Sequence, residues 1–312
     1  MHTPNIICIA GPTASGKTAA ALHAVQVLQS HGLRAAVVNA DSRQVYRDFP
    51  IITAQPTPEE KAVCPHLLYG WLSSEARICA GEWADMARNT INELLHSSTI
   101  PLVVGGTGFY MRSLFDGIAD IPAPDPDIRS RILEELRVEG APALHARLSA
   151  VDPEYAAKIH PNDSQRCCRA LEVWESTGRP FSWWHAQTPP PPNYSVLRLG
   201  VGLPLNELEP ILARRIDLML QRGAIEEARK ALSLCPDTTT PGWTGIGCAE
   251  IAAYLNGSRS LDECRSLWIH NTRAYAKRQW TWFKADGRIA WHRPEESGIL
   301  AQRILDFLHV RQ

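Results

Sequence analysis

The chain has 312 residues, of which 45% are hydrophobic and 21% charged, and its formal net charge is −1 at pH 7. This composition excludes an intrinsically disordered chain, and the length allows one large domain or two modest ones. No run of 18 or more uninterrupted apolar residues occurs, which argues against a membrane span.

The eight cysteines are scattered, and no pair has the Cys-x-x-Cys spacing of a zinc ribbon or a redox dithiol. Scattered cysteines in a chain of this length are typical of a reducing compartment. The first apolar run has no basic head and continues into a glycine-rich loop, which favours a strand over a signal peptide. We therefore expect a cytoplasmic protein.

Strand and helix patterns alternate along the first part of the chain. In chain order, the predicted elements are strand 5–10, helix 17–30, strand 34–40, helix 82–96 and strand 101–106. This order indicates right-handed crossovers and an α/β fold, in which a parallel sheet carries helices on both faces.

Each predicted strand ends in a polar or glycine-rich turn, at residues 11–18, 41–46 and 105–110. Ligands of open α/β sheets bind at the carboxyl ends of the strands. We therefore expect the three turns to form one pocket.

Two proline-rich stretches, 121–127 and 188–193, enclose a mostly helical segment. Proline makes such connections extended and semi-rigid, which suits the boundaries of an inserted subdomain. We predict a core domain of residues 1–120 and 194–312 and a helical insertion domain of residues 121–193. After the insertion, the pattern predicts a strand near 195–203, helices over 205–222 and 261–284, and an amphipathic tail.

The first turn matches the P-loop pattern, with Gly11, Gly16, Lys17 and Thr18 at the required spacing between a strand and a helix. Its backbone N–H groups are expected to cradle phosphate, with Lys17 on the terminal phosphates and the Thr18 hydroxyl on Mg²⁺. The predicted fold is therefore P-loop NTPase-like. The alternative is a chance glycine-rich turn.

The other two turns contribute an acid and a hydroxyl. Asp41 follows the second strand, where it is a candidate metal ligand or general base, and alternatively a helix cap. Thr107 lies in the run Gly105–Gly108, where it is a candidate hydrogen-bond donor to phosphate.

Residues 160–180 predict a helix that begins near Asp163 and ends at Gly178. Cys167 lies on its apolar stripe, so core packing is favoured over a metal site for the Cys167–Cys168 pair. The candidates for binding an anion lie off that stripe and are Gln165, Arg166 and Arg169. The alternative is a solvated face.

The helix predicted at 261–284 carries Arg273, Lys277, Trp280 and Lys284 at helical spacing. Cations interleaved with an aromatic are typical of RNA recognition, although a solvated face is again the alternative. A neighbouring stripe repeats every seven residues and is expected to face the core; it consists of Trp268, Tyr275 and Trp282.

Taken together, these motifs resemble the tRNA dimethylallyltransferase (tRNA isopentenyltransferase) family, of the bacterial type. The matching blocks occur in family order over nearly the whole length: GPTASGKT (11–18), DSRQVY (41–46), GGTGFY (105–110), HPNDSQR (160–166), RRIDLMLQRG (214–223) and YAKRQWTWFK (275–284). The first block is shared with many P-loop proteins, whereas its combination with the next three is highly specific.

The resemblance implies transfer of a dimethylallyl group from dimethylallyl diphosphate to the exocyclic N6 amine of the adenosine 3′-adjacent to a tRNA anticodon. It implies that the P-loop holds this diphosphate, that Asp41 is the general base, and that Lys17, Thr107 and Arg215 stabilise the leaving group with Mg²⁺. The implied diphosphate cradle is Gly11, Pro12, Thr13, Ala14, Ser15, Gly16, Lys17 and Thr18. The implied tRNA contacts are Asp41, Ser42, Arg43, Gln44, Thr107, Arg129, Gln165, Arg166, Cys167, Cys168 and Arg169, and the cationic helix adds Arg273, Lys277 and Trp280. A monomer is expected.

The chain departs from the family pattern at Cys248 and Ala249, where the family has tyrosine and a basic residue. We expect tRNA contacts to be altered there.

Three other functions stay open. A prenyltransferase acting on free AMP would modify that nucleotide instead of tRNA, a small-molecule P-loop kinase would consume ATP, and a non-catalytic RNA-binding protein would lack an intact Lys17 and Asp41.

Overall fold

The computed structural model describes residues 3–309. The chain divides into two compact units. The first, here called the core unit, comprises Met1–Leu114 and Asn193–Gln312, and the second, the insertion unit, comprises Phe115–Pro192. Among the described residues, no helix is both long and apolar enough to cross a membrane.

The core unit is built on a sheet whose described strands are all parallel. The strands are β1 (Asn5–Ala10), β2 (Arg34–Asn39), β3 (His66–Leu67), β4 (Thr99–Gly105), β5 (Ser195–Val201) and β6 (Ala290–His292), in the spatial order β3-β2-β4-β1-β5-β6. The predicted parallel sheet is confirmed. β3 and β6 go beyond the predicted strands because two or three residues are too few to show a periodic pattern.

The helices follow the predicted alternation. In chain order they are α1 (Lys17–Ser30), α2 (Pro58–Val63), α3 (Ala80–His96), α4 (Gly108–Phe115), α5 (Pro126–Glu139), α6 (Ala141–Val151), α7 (Pro153–Ala156), α8 (Ser164–Thr177), α9 (Phe181–Ala186), α10 (Leu205–Gln221), α11 (Ala224–Leu234), α12 (Cys248–Leu255), α13 (Leu261–Lys284) and α14 (Ser297–Phe307).

Helices cover both faces of the sheet. On one face, Ile7 and Ile9 of β1 pack in a cluster with Leu28 of α1 and Ile304 of α14, and all four side chains are fully buried. Burial of each such side chain stabilises the fold by about 1.5–3 kcal/mol. On the other face, the Cys8 thiol lies 3.7 Å from the Met111 sulfur of α4, and α3 packs against β2 and β4. The predicted α/β class is therefore confirmed.

A second apolar cluster supports the carboxyl edge of the sheet from the side of α10–α13. Phe49 packs edge-on against Trp243 with ring centroids 4.9 Å apart, and both are fully buried. Trp268 of α13 belongs to the same cluster. This cluster fixes the segment that follows β2 against the C-terminal helices.

The insertion unit has its own core, which includes Ile132, Leu148 and Leu171. Asp163 caps α8 by accepting a hydrogen bond from the Arg166 N–H at 3.1 Å, and Gly178 ends the helix in the left-handed conformation. Cys167 and Cys168 are buried in this core, which confirms core packing. The tRNA contact expected of these two residues stays a prediction.

Candidate active site

The first turn is a tight loop at the carboxyl end of β1. Gly11 has no room for a side chain, because a Cβ there would lie 2.2 Å from the Val201 carbonyl oxygen of β5. Gly16 adopts a φ of 86°, which favours glycine, and α1 begins directly after it. The first turn of α1 contains no acidic residue, so its N-terminal N–H groups are available to an anion.

Lys17 folds back over this loop. Its ammonium donates a hydrogen bond to the Pro12 carbonyl oxygen at 3.2 Å. Although part of the side chain is still accessible to solvent, burial lowers the pKa of Lys17 to about 8; the Asp41 charge opposes this shift and the Arg215 charge adds to it. Lys17 therefore stays cationic near neutral pH, although its charge is partly desolvated. A bound anion would offset this desolvation free energy.

The second turn positions Asp41. The Asn39 side chain anchors the turn by accepting the Asp41 N–H at 2.9 Å and donating to the Asp41 carbonyl oxygen at 3.1 Å. The Asp41 Oδ1 accepts the Arg43 N–H at 2.9 Å. The second oxygen, Oδ2, faces Gly106, so a Cβ at Gly106 would lie 3.4 Å from it. One carboxylate oxygen thus holds the turn, while the other remains available for chemistry.

The third turn brings Thr107 beside the second. A Cβ at Gly105 would lie 2.1 Å from the Ala40 carbonyl oxygen, so only glycine allows β4 to end this close to β2. The Thr107 hydroxyl accepts the Ser42 N–H at 2.9 Å and donates to the Ser42 hydroxyl at 3.2 Å. Burial raises the pKa of the nearby Tyr275 to about 12, and the interaction with Thr107 opposes this shift.

These turns adjoin a pocket of about 310 Å³ in the core unit. Its polar lining residues are Thr13, Asp41, Ser42, Arg43, Thr53, Arg215, Thr244, Thr272, Tyr275 and Arg278. Its other lining residues are Ile52, Leu212, Ile216, Met219, Gly245, Ile246 and Trp268. Such a volume lies at the lower end of the range for small-ligand sites, about 300–1,000 Å³.

Arg215 enters the pocket from α10. Burial lowers the pKa of this guanidinium, and the Asp41 charge opposes the shift. Lys17, Asp41 and Arg215, which lie far apart in sequence, therefore act on one another electrostatically. Two cations face one carboxylate, so the cluster has an excess positive charge suited to a phosphate-bearing ligand.

Two of the predicted tRNA-binding side chains, Arg43 and Gln44, hold loops in place. The Arg43 guanidinium donates to the carbonyl oxygens of Pro241 at 3.1 Å and Gly242 at 2.6 Å. Gln44 donates to the carbonyl oxygens of Thr53 and Ala54. Both therefore shape the pocket wall, and Arg43 also lines the pocket.

The residues of α13 that were predicted to bind tRNA lie outside the pocket lining, and their tRNA contacts stay a prediction. Arg273 pairs with Glu209 at 2.9 Å, Lys277 is exposed, and the Trp280 ring packs 4.6 Å from Trp291. None of these three lines the pocket, whereas Arg278, which was not a predicted site residue, does.

The prediction that Trp268, Tyr275 and Trp282 of α13 face the core is wrong in part. Trp268 is buried, but Trp282 is 40% exposed and covers the backbone of Gly108, where a Cβ would lie 2.1 Å from the indole. The seven-residue repeat spans slightly less than two full helical turns, so successive members rotate away from a shared face.

In the insertion unit, Gln165, Arg166 and Arg129 are exposed. Arg166 lies 3.5 Å from Asp163, and Arg169 donates to the Pro122 carbonyl oxygen at 3.3 Å. The two exposed arginines therefore present cationic groups to solvent, as a polyanion-binding face requires.

Cys248, one of the two residues that depart from the family pattern, lies in the core. Cys248 is fully buried at the start of α12, and burial raises the pKa of its thiol above the usual range. Ala249 is exposed. Cys248 therefore contributes packing, and an altered tRNA contact at the exposed Ala249 stays a prediction.

A buried glutamine was not among the predicted site residues. The side-chain amide of Gln279, in α13, accepts the Thr13 N–H at 2.9 Å and donates to the Gly106 carbonyl oxygen at 2.8 Å. It thereby joins the first turn to the third. The sequence signal that could have indicated Gln279 is a polar residue on the side of a helix that faces the core, since such a residue needs hydrogen-bond partners inside the protein.

The comparisons with known proteins agree on one family. The family model described as "IPP transferase" matches residues 44–286. A tRNA dimethylallyltransferase of Nitratidesulfovibrio vulgaris (strain DSM 19637 / Miyazaki F) is 55% identical over 97% of this chain and 93% of its own length. A tRNA dimethylallyltransferase of Lawsonia intracellularis is 43% identical over 95% of this chain and 96% of its own.

Solved structures give the same result. A tRNA isopentenylpyrophosphate transferase from Bacillus halodurans superimposes with a TM-score of 0.69 at 30% identity, over 99% of this chain and 97% of the other. A eukaryotic dimethylallyltransferase, solved acting on tRNA, superimposes with a TM-score of 0.80 at 27% identity, over 99% of this chain and 81% of the other.

Proposed function

Because this chain belongs to the IPP transferase family, we propose that it transfers a dimethylallyl group from dimethylallyl diphosphate to tRNA, with release of diphosphate. The acceptor is the exocyclic N6 amine of the adenosine 3′-adjacent to the anticodon. The observation that carries the proposal is the electrostatic cluster of Lys17, Asp41 and Arg215 beside a pocket with a partly apolar wall. A phosphate cradle, a carboxylate and an apolar surface are what this reaction needs in one place.

In the reaction, the N6 nitrogen bonds to the allylic carbon as the carbon–oxygen bond to diphosphate breaks. The diphosphate leaves with the electron pair, and the amine proton passes to a base. Asp41 suits this role because its Oδ2 has no hydrogen-bond donor among the described residues, while Oδ1 anchors the turn. An exocyclic amine is a weak nucleophile, so proton removal has to accompany bond formation.

Charge on the leaving group is stabilised by Lys17, Arg215 and the N-terminus of α1. Burial leaves both side chains poorly solvated before the substrate binds, and this lowers their pKa values. Their interaction with the diphosphate is correspondingly strong. Thr107 is engaged with Ser42, so we assign it to aligning the second and third turns as well as to the leaving group.

The site fits Mg²⁺ held mainly by phosphate and water. The described residues contain no group of three metal-ligating side chains, and Mg²⁺ commonly binds through substrate phosphates and few protein ligands. The buried Ser15 hydroxyl has no hydrogen-bond partner among the described residues, and Thr18 lies at the second position of α1. We propose that Thr18 holds the ion, which would neutralise charge on the diphosphate when bound.

The tRNA contacts stay a proposal. Support comes from the exposed Arg129 and Arg166 of the insertion unit and from Arg43 and Arg278 in the pocket lining. The reactive base has to leave the anticodon stack to enter a pocket of this size. We expect a cytoplasmic monomer.

The test is incubation of the protein with labelled dimethylallyl diphosphate and unmodified tRNA, followed by nucleoside mass analysis. We expect a single adenosine carrying a dimethylallyl group, with AMP unmodified in a parallel reaction. Label in AMP but not in tRNA would support the free-nucleotide prenyltransferase, and consumption of ATP would support the kinase. Either result would overturn the proposal.

A further inference from the structure

Gln279 lies in the C-terminal part of α13 with only 4% of its surface exposed. Both polar atoms of its side chain are used within the protein, on partners from two different turns of the active site. The side chain is therefore not free to bind a substrate, and any effect on the reaction acts through the turns that it holds.

The orientation of the Gln279 amide follows from its partners. The Thr13 backbone N–H can only donate, and the Gly106 carbonyl oxygen can only accept. The amide oxygen must therefore face Thr13, at 2.9 Å, and the amide nitrogen must face Gly106, at 2.8 Å. A flipped amide would lose both hydrogen bonds, so this cross-link has one arrangement.

Space around the cross-link is tight. A Cβ at Gly106 would lie 2.2 Å from the Gln279 amide nitrogen, 3.3 Å from the Gly11 carbonyl oxygen and 3.4 Å from the Asp41 Oδ2. The P-loop, the Asp41 turn and the third turn thus meet around one position that α13 holds. One helical turn later, Trp282 covers Gly108, so α13 contacts the third turn at two points.

The P-loop needs such support. Its internal hydrogen bond from the Ser15 N–H to the Pro12 carbonyl oxygen is long, at 3.3 Å, and Ala14 has a φ of 61°, which is unfavourable for a side chain. Without Gln279, the buried Gly106 carbonyl oxygen and the Thr13 N–H would lose their side-chain partner. The conformation of the loop is therefore set partly from α13.

We propose that Gln279 is a positioning residue that fixes the separation between the diphosphate cradle and the Asp41–Thr107 side of the pocket. The inference rests on the proposed function, since it concerns the alignment of the two substrates. The allylic carbon is held by the P-loop through the diphosphate, whereas the amine is held near Asp41. Reacting atoms need an approach of about 3–3.5 Å, and a displacement of about 1 Å can cost about 100-fold in rate.

The test compares Gln279→Leu with wild type in single-turnover transfer at saturating dimethylallyl diphosphate and tRNA. We expect a rate about 10- to 100-fold lower, with the Kd for tRNA changed less than about twofold. Gln279→Met is the second variant, because it keeps an unbranched side chain of similar length and cannot donate to the Gly106 carbonyl oxygen. We expect the same loss of rate even if Gln279→Leu does not fold.

Asn271→Leu is the matched control. Asn271 also lies in α13 and donates its side-chain amide to Glu250 at 2.7 Å, about 12 Å along the helix from Gln279. We expect this variant to lower the melting temperature and leave the single-turnover rate unchanged. A wild-type rate in both Gln279 variants, or an equal loss of rate in Asn271→Leu, would overturn the positioning role. An inactive wild-type protein would instead overturn the proposed function, and the positioning role with it.

Discussion

Replacement of Lys17 by methionine is expected to make the protein inactive and, at neutral pH, more stable. Methionine keeps an unbranched side chain of similar length and removes the charge that the loop has to accommodate. The ordinary pKa of lysine is 10.5, and burial lowers that of Lys17 to about 8. At about 1.4 kcal/mol per pH unit, the folded state pays about 3 kcal/mol to keep Lys17 protonated.

The hydrogen bond to the Pro12 carbonyl oxygen is lost in the variant, which costs about 1–2 kcal/mol. We therefore expect Lys17→Met to raise the free energy of unfolding at pH 7 by about 1–2 kcal/mol. Between pH 8 and 10.5 the unfolded wild-type chain binds more protons than the folded one, so wild-type stability rises with pH over this range. The advantage of the variant should accordingly fall by about 2–3 kcal/mol between pH 7 and pH 10.

Urea unfolding of both proteins at pH 7 and pH 10 measures how the stability difference between variant and wild type changes with pH, and the titration of groups that do not interact with Lys17 cancels from it. Lys230→Met is the control, since Lys230 is an exposed lysine of α11 and its replacement should change stability by less than about 0.5 kcal/mol. Transfer of labelled dimethylallyl groups reports the activity. The reasoning is refuted if Lys17→Met is less stable than wild type at pH 7, or if its advantage does not depend on pH.

Asp41→Asn keeps an acceptor for the Arg43 N–H but cannot take a proton at neutral pH, so we expect transfer to fall at least about 1,000-fold with little change in tRNA affinity; near wild-type turnover in a labelled-transfer assay would remove Asp41 as the base. Arg166→Ala should weaken tRNA binding and reduce the slope of log K against log salt by about 1, and an unchanged slope in filter binding would exclude Arg166 from the interface. Glu227→Ala leaves the N–H groups of Ile51 and Ile52, now 2.7 and 2.9 Å from its carboxylate, without that partner. We expect a loss of about 2–4 kcal/mol in the free energy of unfolding, and an unchanged urea midpoint would show that water replaces the carboxylate at no cost.

The parallel sheet and the meeting of its three turns follow from local sequence. Apolar runs that end at Gly11, at Asp41 and at Gly105 define strands whose carboxyl ends share one edge, because right-handed crossovers make neighbouring strands parallel. The P-loop spacing then fixes where a phosphate lies relative to that edge. The sequence suffices here because each feature depends on residues within a few positions of one another.

The exposure of the α13 aromatics depends on distant contacts and could not be read from spacing. Trp280 packs on Trp291 and against Gly202, where a Cβ would lie 2.2 Å from its ring, so a glycine on another element makes room for it. Trp282 covers Gly108 in the same way. Glycines on facing elements make room for both rings, and helical periodicity carries no information on where those glycines lie.

Cys248 is another residue whose position depends on distant contacts that the local sequence does not show. The family pattern places a tyrosine there, and a tyrosine suggests a surface that touches RNA. The side chain instead points into the cluster of Trp243 and Trp268, where its size is a question of packing. Overpacking a filled core costs about 1–3 kcal/mol, so the side-chain size that fits at Cys248 depends on its large aromatic neighbours.

Gln279 lies on the buried side of α13, and its partners follow from that position. The buried positions of α13 are Cys264, Trp268, Ala276, Gln279 and Phe283, which follow helical spacing along one side. A glutamine on such a stripe has to find hydrogen-bond partners inside the protein, since an unpaired buried amide costs about 1–3 kcal/mol. Helix residues already bond to one another along the backbone, so the partners had to come from another element with open N–H and C=O groups. The irregular turns at the strand ends are where such groups occur, so a glutamine on the buried side of this helix is satisfied by the active-site loops.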